Sequence, residues 1–109
     1  MKRATNRSAD AGELPAADPA ELTALAIAAL RDRLAASHPA RRALASDVEA
    51  ARHGDPELAI DDVGHVLRYF DTPIRTDEFQ ALHAAAAHFA LADALEGVVV
   101  LPPDEAPPA

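Results

Sequence analysis

The chain contains no cysteine and no tryptophan, one tyrosine, three phenylalanines and four glycines among 109 residues. Lack of cysteine excludes disulfides, a thiolate nucleophile and a thiolate metal site, and is consistent with a cytoplasmic protein. No apolar run approaches the ~20 residues needed to cross a bilayer, so no membrane span is expected. The opening MKRATNRSADAGELPAAD has no apolar centre of the kind a secretory signal carries. Repeats, a glycine-rich phosphate loop and a strand-turn-strand pattern are also missing. With so few aromatics and so much alanine, a deep catalytic pocket is hard to build, and the chain reads as a binding protein rather than an enzyme.

What is present is charge of one sign. The net charge is −8. Residues 1–45 carry seven basic and five acidic side chains, a balance of +2; residues 46–109 carry three basic and thirteen acidic, a balance of −10. Such a surface repels nucleic acid and speeds association with a basic protein. Acidity also serves solubility, which is the plainer explanation of charge taken alone.

Helical punctuation divides the chain. Residues 1–17 have no sustained apolar period and are expected to be disordered. Asp18-Pro19-Ala20-Glu21 is a complete helix start, with a cap, a first-turn proline and an acid at the third helical position. The first helix is expected to reach Ala36. Its two rows, Leu22/Leu25/Ala26/Ala29 and Ile27/Leu30/Leu34, make an arc wide enough for deep packing or for self-association. Ser37-His38-Pro39 breaks the chain, and the second helix, about Ala40 to His53, has a thin face of Ala40, Leu44, Val48 and Ala51. It reads as the least anchored element.

Gly54 suits the left-handed residue that closes that helix, Asp55 the next cap, and Pro56 the first turn. The third helix has a core stripe of Ala59, Ile60, Val63, Val66, Leu67 and Phe70. A second row, Leu58, Asp62, His65 and Tyr69, lies on another side of the cylinder. The default for a helix apolar on two sides is the middle of a bundle; the alternative is a side left open for a partner. After the Asp71–Arg75 loop, Thr76 reads as a cap with Asp77 and Glu78 in the first turn. The fourth helix, to about Leu91, presents Phe79, Leu82, His83, Ala86, Phe89 and Ala90, with His83 as a core histidine. Residues 93–97 add a turn. Val98 to Leu101 read as an extended apolar strap, and the proline-rich end as a free tail. The expected fold is all-α: a small four-helix bundle over 18–97, between an N-terminal segment 1–17 and a strap and tail 98–109. Phe70 and Phe79, if fully buried, would each cost about 3–5 kcal/mol on truncation to alanine.

The chemistry-bearing residues do not converge. Glu57, Asp61 and His65 stack at i,i+4 and could hold a metal weakly, but nothing supplies further ligands. His83 and His88 are five apart, which is not a metal-binding spacing on a helix. The pairs Asp61-Asp62 and Asp77-Glu78 point about 100° apart and cannot meet on one substrate atom. Ser8, Ser37 and Ser46 lack a nucleophile-elbow setting. No cofactor and no catalytic residue is expected.

The stretch DVEAARHGDPELAIDDVGHVLRYFDTPIRTDEFQALHAAAAHFAL, Asp47 to Leu91, resembles the MafI-type immunity proteins, small cytoplasmic partners of secreted polymorphic toxins. It gives in order a helix, a Gly-acidic break, Glu-Leu-Ala-Ile at the next helix start, an apolar helix, a Thr-Asp-Glu-Phe start and an alanine-rich helix. The resemblance covers under half of the chain and leaves out the first helix and the tail. It implies binding and neutralisation of a cognate toxin domain, often a nuclease, whose basic site an acidic protein can cover. The residues expected to bind that partner are Asp55, Glu57, Leu58, Asp61, Asp62, His65, Tyr69, Asp77 and Glu78. Two other classes fit the composition: a helical adaptor that self-associates through the first helix, and an acidic regulatory protein that binds a transcription factor.

Overall fold

A computed structural model describes residues 18–103. The disorder expected of residues 1–17 and the free tail expected of 104–109 lie outside them. Among the described residues the fold is all-α: α1 (Pro19–Arg33), α2 (Pro39–Arg52), α3 (Pro56–Tyr69), α4 (Thr76–Ala87) and a short 3₁₀ turn, Ala92–Leu95.

Proline opens three of the four helices at a position where its missing donor is harmless. Asp18 caps α1 by accepting from the Ala20 N–H at 3.2 Å. His38 caps α2 in the same way, its Nδ1 accepting from the Ala40 N–H at 3.1 Å. Asp55 occupies the cap position of α3, yet its side chain makes no cap bond. Thr76 is not a cap either: it is the first residue of α4, and its hydroxyl donates to the Leu101 carbonyl at 2.9 Å. α1 stops three residues short of the expected Ala36 because Leu34 turns extended and buries its side chain. The Arg41 guanidinium then satisfies the freed carbonyls of Arg31 (3.0 Å) and Leu34 (2.7 Å).

The central helix is α1, not α3. It packs along α2 and α4 and also touches α3, while α2 lies between α1 and α3. The thin face of α2 is therefore well anchored, contrary to expectation. Ala40, Leu44, Val48 and Ala51 are all buried, and their small side chains let two helices approach closely. The two rows of α1 separate as well: Ile27, Leu30 and Leu34 are core, whereas Leu25 stays 52% exposed. The fully buried large side chains include Ile27, Leu30, Leu44, Ile60, Leu67 and Ile74, so the heart of the core is aliphatic. Phe70, Phe79 and Phe89 are only partly buried around its edge, and truncating Phe70 or Phe79 should cost less than full burial implied.

α4 ends at Ala87, four residues before the expected Leu91, where Ala90 takes a left-handed conformation (φ 59°). The 3₁₀ turn then fills the corner between α3 and α4, which meet each other over little of their length. Gly64 makes this possible. A Cβ there would lie 2.1 Å from the Ala94 carbonyl oxygen, so only glycine lets the turn lie against α3. The strap follows. Ile74 donates to Val99 O and accepts from the Leu101 N–H, both at 2.9 Å, in a single parallel bridge of Ile74 with Val100.

Candidate partner-binding face

Ala59, Ile60, Val63, Val66 and Leu67 of the α3 core stripe are buried as their spacing predicts and Phe70 only partly, and the second row, Asp62 apart, turns outward. Leu58 is 60% and Tyr69 81% exposed. Tyr69 touches Phe70 edge-on, ring centres 4.8 Å apart, and lies under no other helix. Both side chains are large for open positions on so small a fold.

Acids flank the row. Glu57 and Asp61 are exposed, and Asp61 Oδ2 lies 3.6 Å from His65 Nε2. Asp55, with no cap bond to hold it, is exposed at the start of the same helix. On the side towards the 3₁₀ turn, Arg68 reaches across to the carbonyls of Ala94 (3.1 Å) and Glu96 (2.7 Å) and approaches His65 Nδ1 at 3.3 Å. A shallow cleft of about 400 Å³ runs there, lined by Asp61, His65, Arg68, Asp93 and Glu96.

Asp62 faces the other way, towards α2, and is half-buried. It meets Asp47, a residue the sequence reading passed over. Asp47 is only 5% exposed, and its Oδ2 is buried with no hydrogen-bond partner. Burial, with the hydrogen bond and negative charge of Asp62 added, pushes its carboxyl up to about 8. A signal was available: Leu44, Asp47, Val48 and Ala51 follow helical core spacing, and an acid in such a row is out of place.

The two candidates on α4 behave differently. Asp77 is exposed but held by Arg75, with contacts of 2.7 and 3.1 Å, and this pairing keeps its carboxyl below the usual range. Glu78 is not a surface residue open to a partner. Its side chain is 10% exposed, pairs with Arg33 of α1, and accepts the Arg75 N–H at 2.8 Å. The reason is distance in sequence: its partner lies 45 residues earlier. His83 also departs from expectation. It is exposed, with its ring tilted over Phe79 at 5.6 Å, rather than buried in the core.

Among the described residues no group of three or more His, Asp or Glu is placed to hold a metal ion, the Glu57/Asp61/His65 row included. What the outer face of α3 presents is an exposed tyrosine and leucine within a frame of carboxylates. No family model, no curated protein and no solved structure matches the chain significantly.

Proposed function

We propose that the protein binds a basic protein domain stoichiometrically through the outer face of α3, and that it works as an immunity protein covering the basic site of a secreted toxin, a nuclease by this reading. The observation that carries the proposal is Tyr69, 81% exposed in one helical row with Leu58 and among acids. Tyrosine supplies wide contact area with a polar tip, and such aromatics dominate interface hot spots. Acids around it pair with the lysines and arginines that a nuclease needs for phosphate. The resemblance over Asp47–Leu91 supplies the nature of the partner. Immunity asks for no chemistry of its own and places the protein in the cytoplasm.

Co-expression with the product of the neighbouring gene tests this reading. A one-to-one complex in which the toxin domain is inactive is the expected result, and two species that separate on a sizing column would overturn it. Association should slow steeply as salt is raised. Asp61→Lys should slow it more than Asp77→Lys, because Asp77 already holds Arg75.

One further observation favours self-association as a second reading. A shallow apolar cleft of about 320 Å³ lies between α1 and α4, with Leu22, Leu25, Ala26, Ala29, Ala81 and Ala84 in its walls. Two copies of α1 running antiparallel would set the leucines of one against the alanines of the other, as a two-fold contact requires. A sedimentation profile that stays monomeric at high concentration would remove it.

A further inference from the structure

Elsewhere in the fold each arginine is matched within the chain: Arg33 holds Glu78, Arg52 holds Glu21, Arg75 holds Asp77, and Arg68 is bonded to the 3₁₀ turn. The corner where α1 ends and α2 begins is different. An open cleft of about 660 Å³ lies there, lined by Arg31, Arg41, Arg42 and His38 with a single acid, Asp32. Asp32 Oδ1 accepts from Arg31 Nε at 2.9 Å and lies 3.9 Å from Arg41 Nη2. Arg41 Nη1 donates to the carbonyls of Arg31 and Leu34, and the Ala35 carbonyl accepts the His38 N–H at 2.9 Å. These oxygens at the end of α1 therefore have donors of their own. Arg42 is exposed, and no acid among the described residues pairs with it. His38 Nδ1 accepts the Ala40 N–H, so the neutral ring carries its proton on Nε2 and keeps a donor there. Three guanidinium groups against one carboxylate leave a local charge of +2, in a chain whose net charge is −8.

We propose that this cleft binds a phosphate monoester, its dianion held by Arg42 and by the two guanidinium groups that flank Asp32. The proposal stands apart from the partner face on α3. A phosphate monoester carries close to two negative charges at neutral pH and so balances the local charge, whereas a carboxylate leaves one cation over. Its terminal oxygens are strong acceptors, and a guanidinium fork can meet them with paired bonds. Arg31 has both Nη groups free for this, and Arg41 has its Nε and Nη2. Their side chains are only 27% and 34% exposed and are already held by Asp32 and the α1 carbonyls, so binding costs them little further freedom. The first turn of α2 adds the positive end of its dipole. The cleft is larger than a phosphate group, and Ala36, Pro39 and Ala45 give its wall apolar surface for the body that carries the phosphate.

The probe is phenyl phosphate, titrated into the full chain by NMR near pH 7.5 at low ionic strength, with benzoate as a monoanion of similar body. Phenyl phosphate should move the signals of His38, Arg42 and Ala45. It should bind roughly tenfold more tightly than benzoate, the factor that one charge-assisted bond supplies. Arg42→Ala should weaken it by a similar factor and leave the melting temperature in place, because that side chain is exposed and unpaired. Arg52→Ala makes the same change of net charge at the other end of α2, and should leave the affinity within about twofold. Asp32→Asn removes the acid already in the cleft and should tighten binding several-fold, which a merely structural role of Asp32 would not do. Equal affinity for benzoate, equal losses in Arg42→Ala and Arg52→Ala, or weaker binding by Asp32→Asn would each overturn the proposal. If Asp32→Asn does not fold, the two arginine variants decide the matter. A blocked phosphoserine peptide carries the same dianion on a chain. Tighter binding of that peptide at the same signals supports the site with a phosphorylated protein segment as its source, and tighter binding of phenyl phosphate supports it with a free monoester. Failure of both to move the α1–α2 corner refutes the site.

Discussion

Glu78 and Asp47 are both carboxyl groups drawn in from water, and the fold treats them in opposite ways. At the α1–α4 corner Glu78 meets Arg33 and a backbone N–H, so the charge that enters is matched from within. Between α2 and α3 Asp47 meets another acid, Asp62, and its burial there pushes its carboxyl up to about 8. The first corner is complete in itself, and its residues serve folding. The second remains acidic, and it borders the exposed row that contains Leu58 and Tyr69. On the proposed function, that acidity and the uncovered apolar surface beside it are what a basic partner would complete.

Substitutions in the two regions should separate in the same way. Glu78→Ala strands Arg33, whose Nη1 already has no partner, in a site only 15% exposed, and should cost about 3 kcal/mol in urea unfolding. If stability is unchanged, the α1–α4 corner is not an internal device. Gly64→Ala drives a Cβ into the Ala94 carbonyl and must shift the 3₁₀ turn, for a loss of about 1–3 kcal/mol in thermal unfolding. Asp47→Asn should act with the opposite sign. The folded state keeps a proton that the unfolded chain gives up at the ordinary carboxylate pKa. Wild-type stability therefore declines as pH rises from that range to about 8, by no more than ~1.4 kcal/mol per pH unit. The asparagine variant should lose that decline, so its stability relative to the wild type should rise as pH goes up towards 8. Parallel pH profiles for the two proteins would mean that Asp47 is ionised in the fold.

The helix starts were legible because they are local: Asp18-Pro19, Pro39 and Gly54-Asp55-Pro56 act within one turn of chain. The core stripe of α3 was legible for the same reason, as a spacing. What escaped depends on approach across the fold. Gly64 looks like an ordinary weak point in a helix until the Ala94 carbonyl lies against it. Glu78 looks like a first-turn acid until Arg33 arrives from α1. His83 shares the spacing of Leu82 and Ala86 closely enough to pass for core, and the position of α1 leaves it outside. In the candidate site, Leu58, His65 and Tyr69 do stand on the outer side of α3, whereas Asp62 turns towards α2, and Asp47 beside it needed its misplaced charge to be noticed.

The most direct measurement is Tyr69→Ala, with affinity for the cognate domain and melting temperature read on the same preparation. Tyr69 is 81% exposed and packs only edge-on to Phe70, so the melting temperature should hold, within about 0.5 kcal/mol of stability. Affinity should fall by about 2 kcal/mol or more, the mark of an interface centre. An unchanged affinity, or a loss of binding that only tracks a fall in melting temperature, would contradict the assignment of the outer face of α3 as the surface that binds.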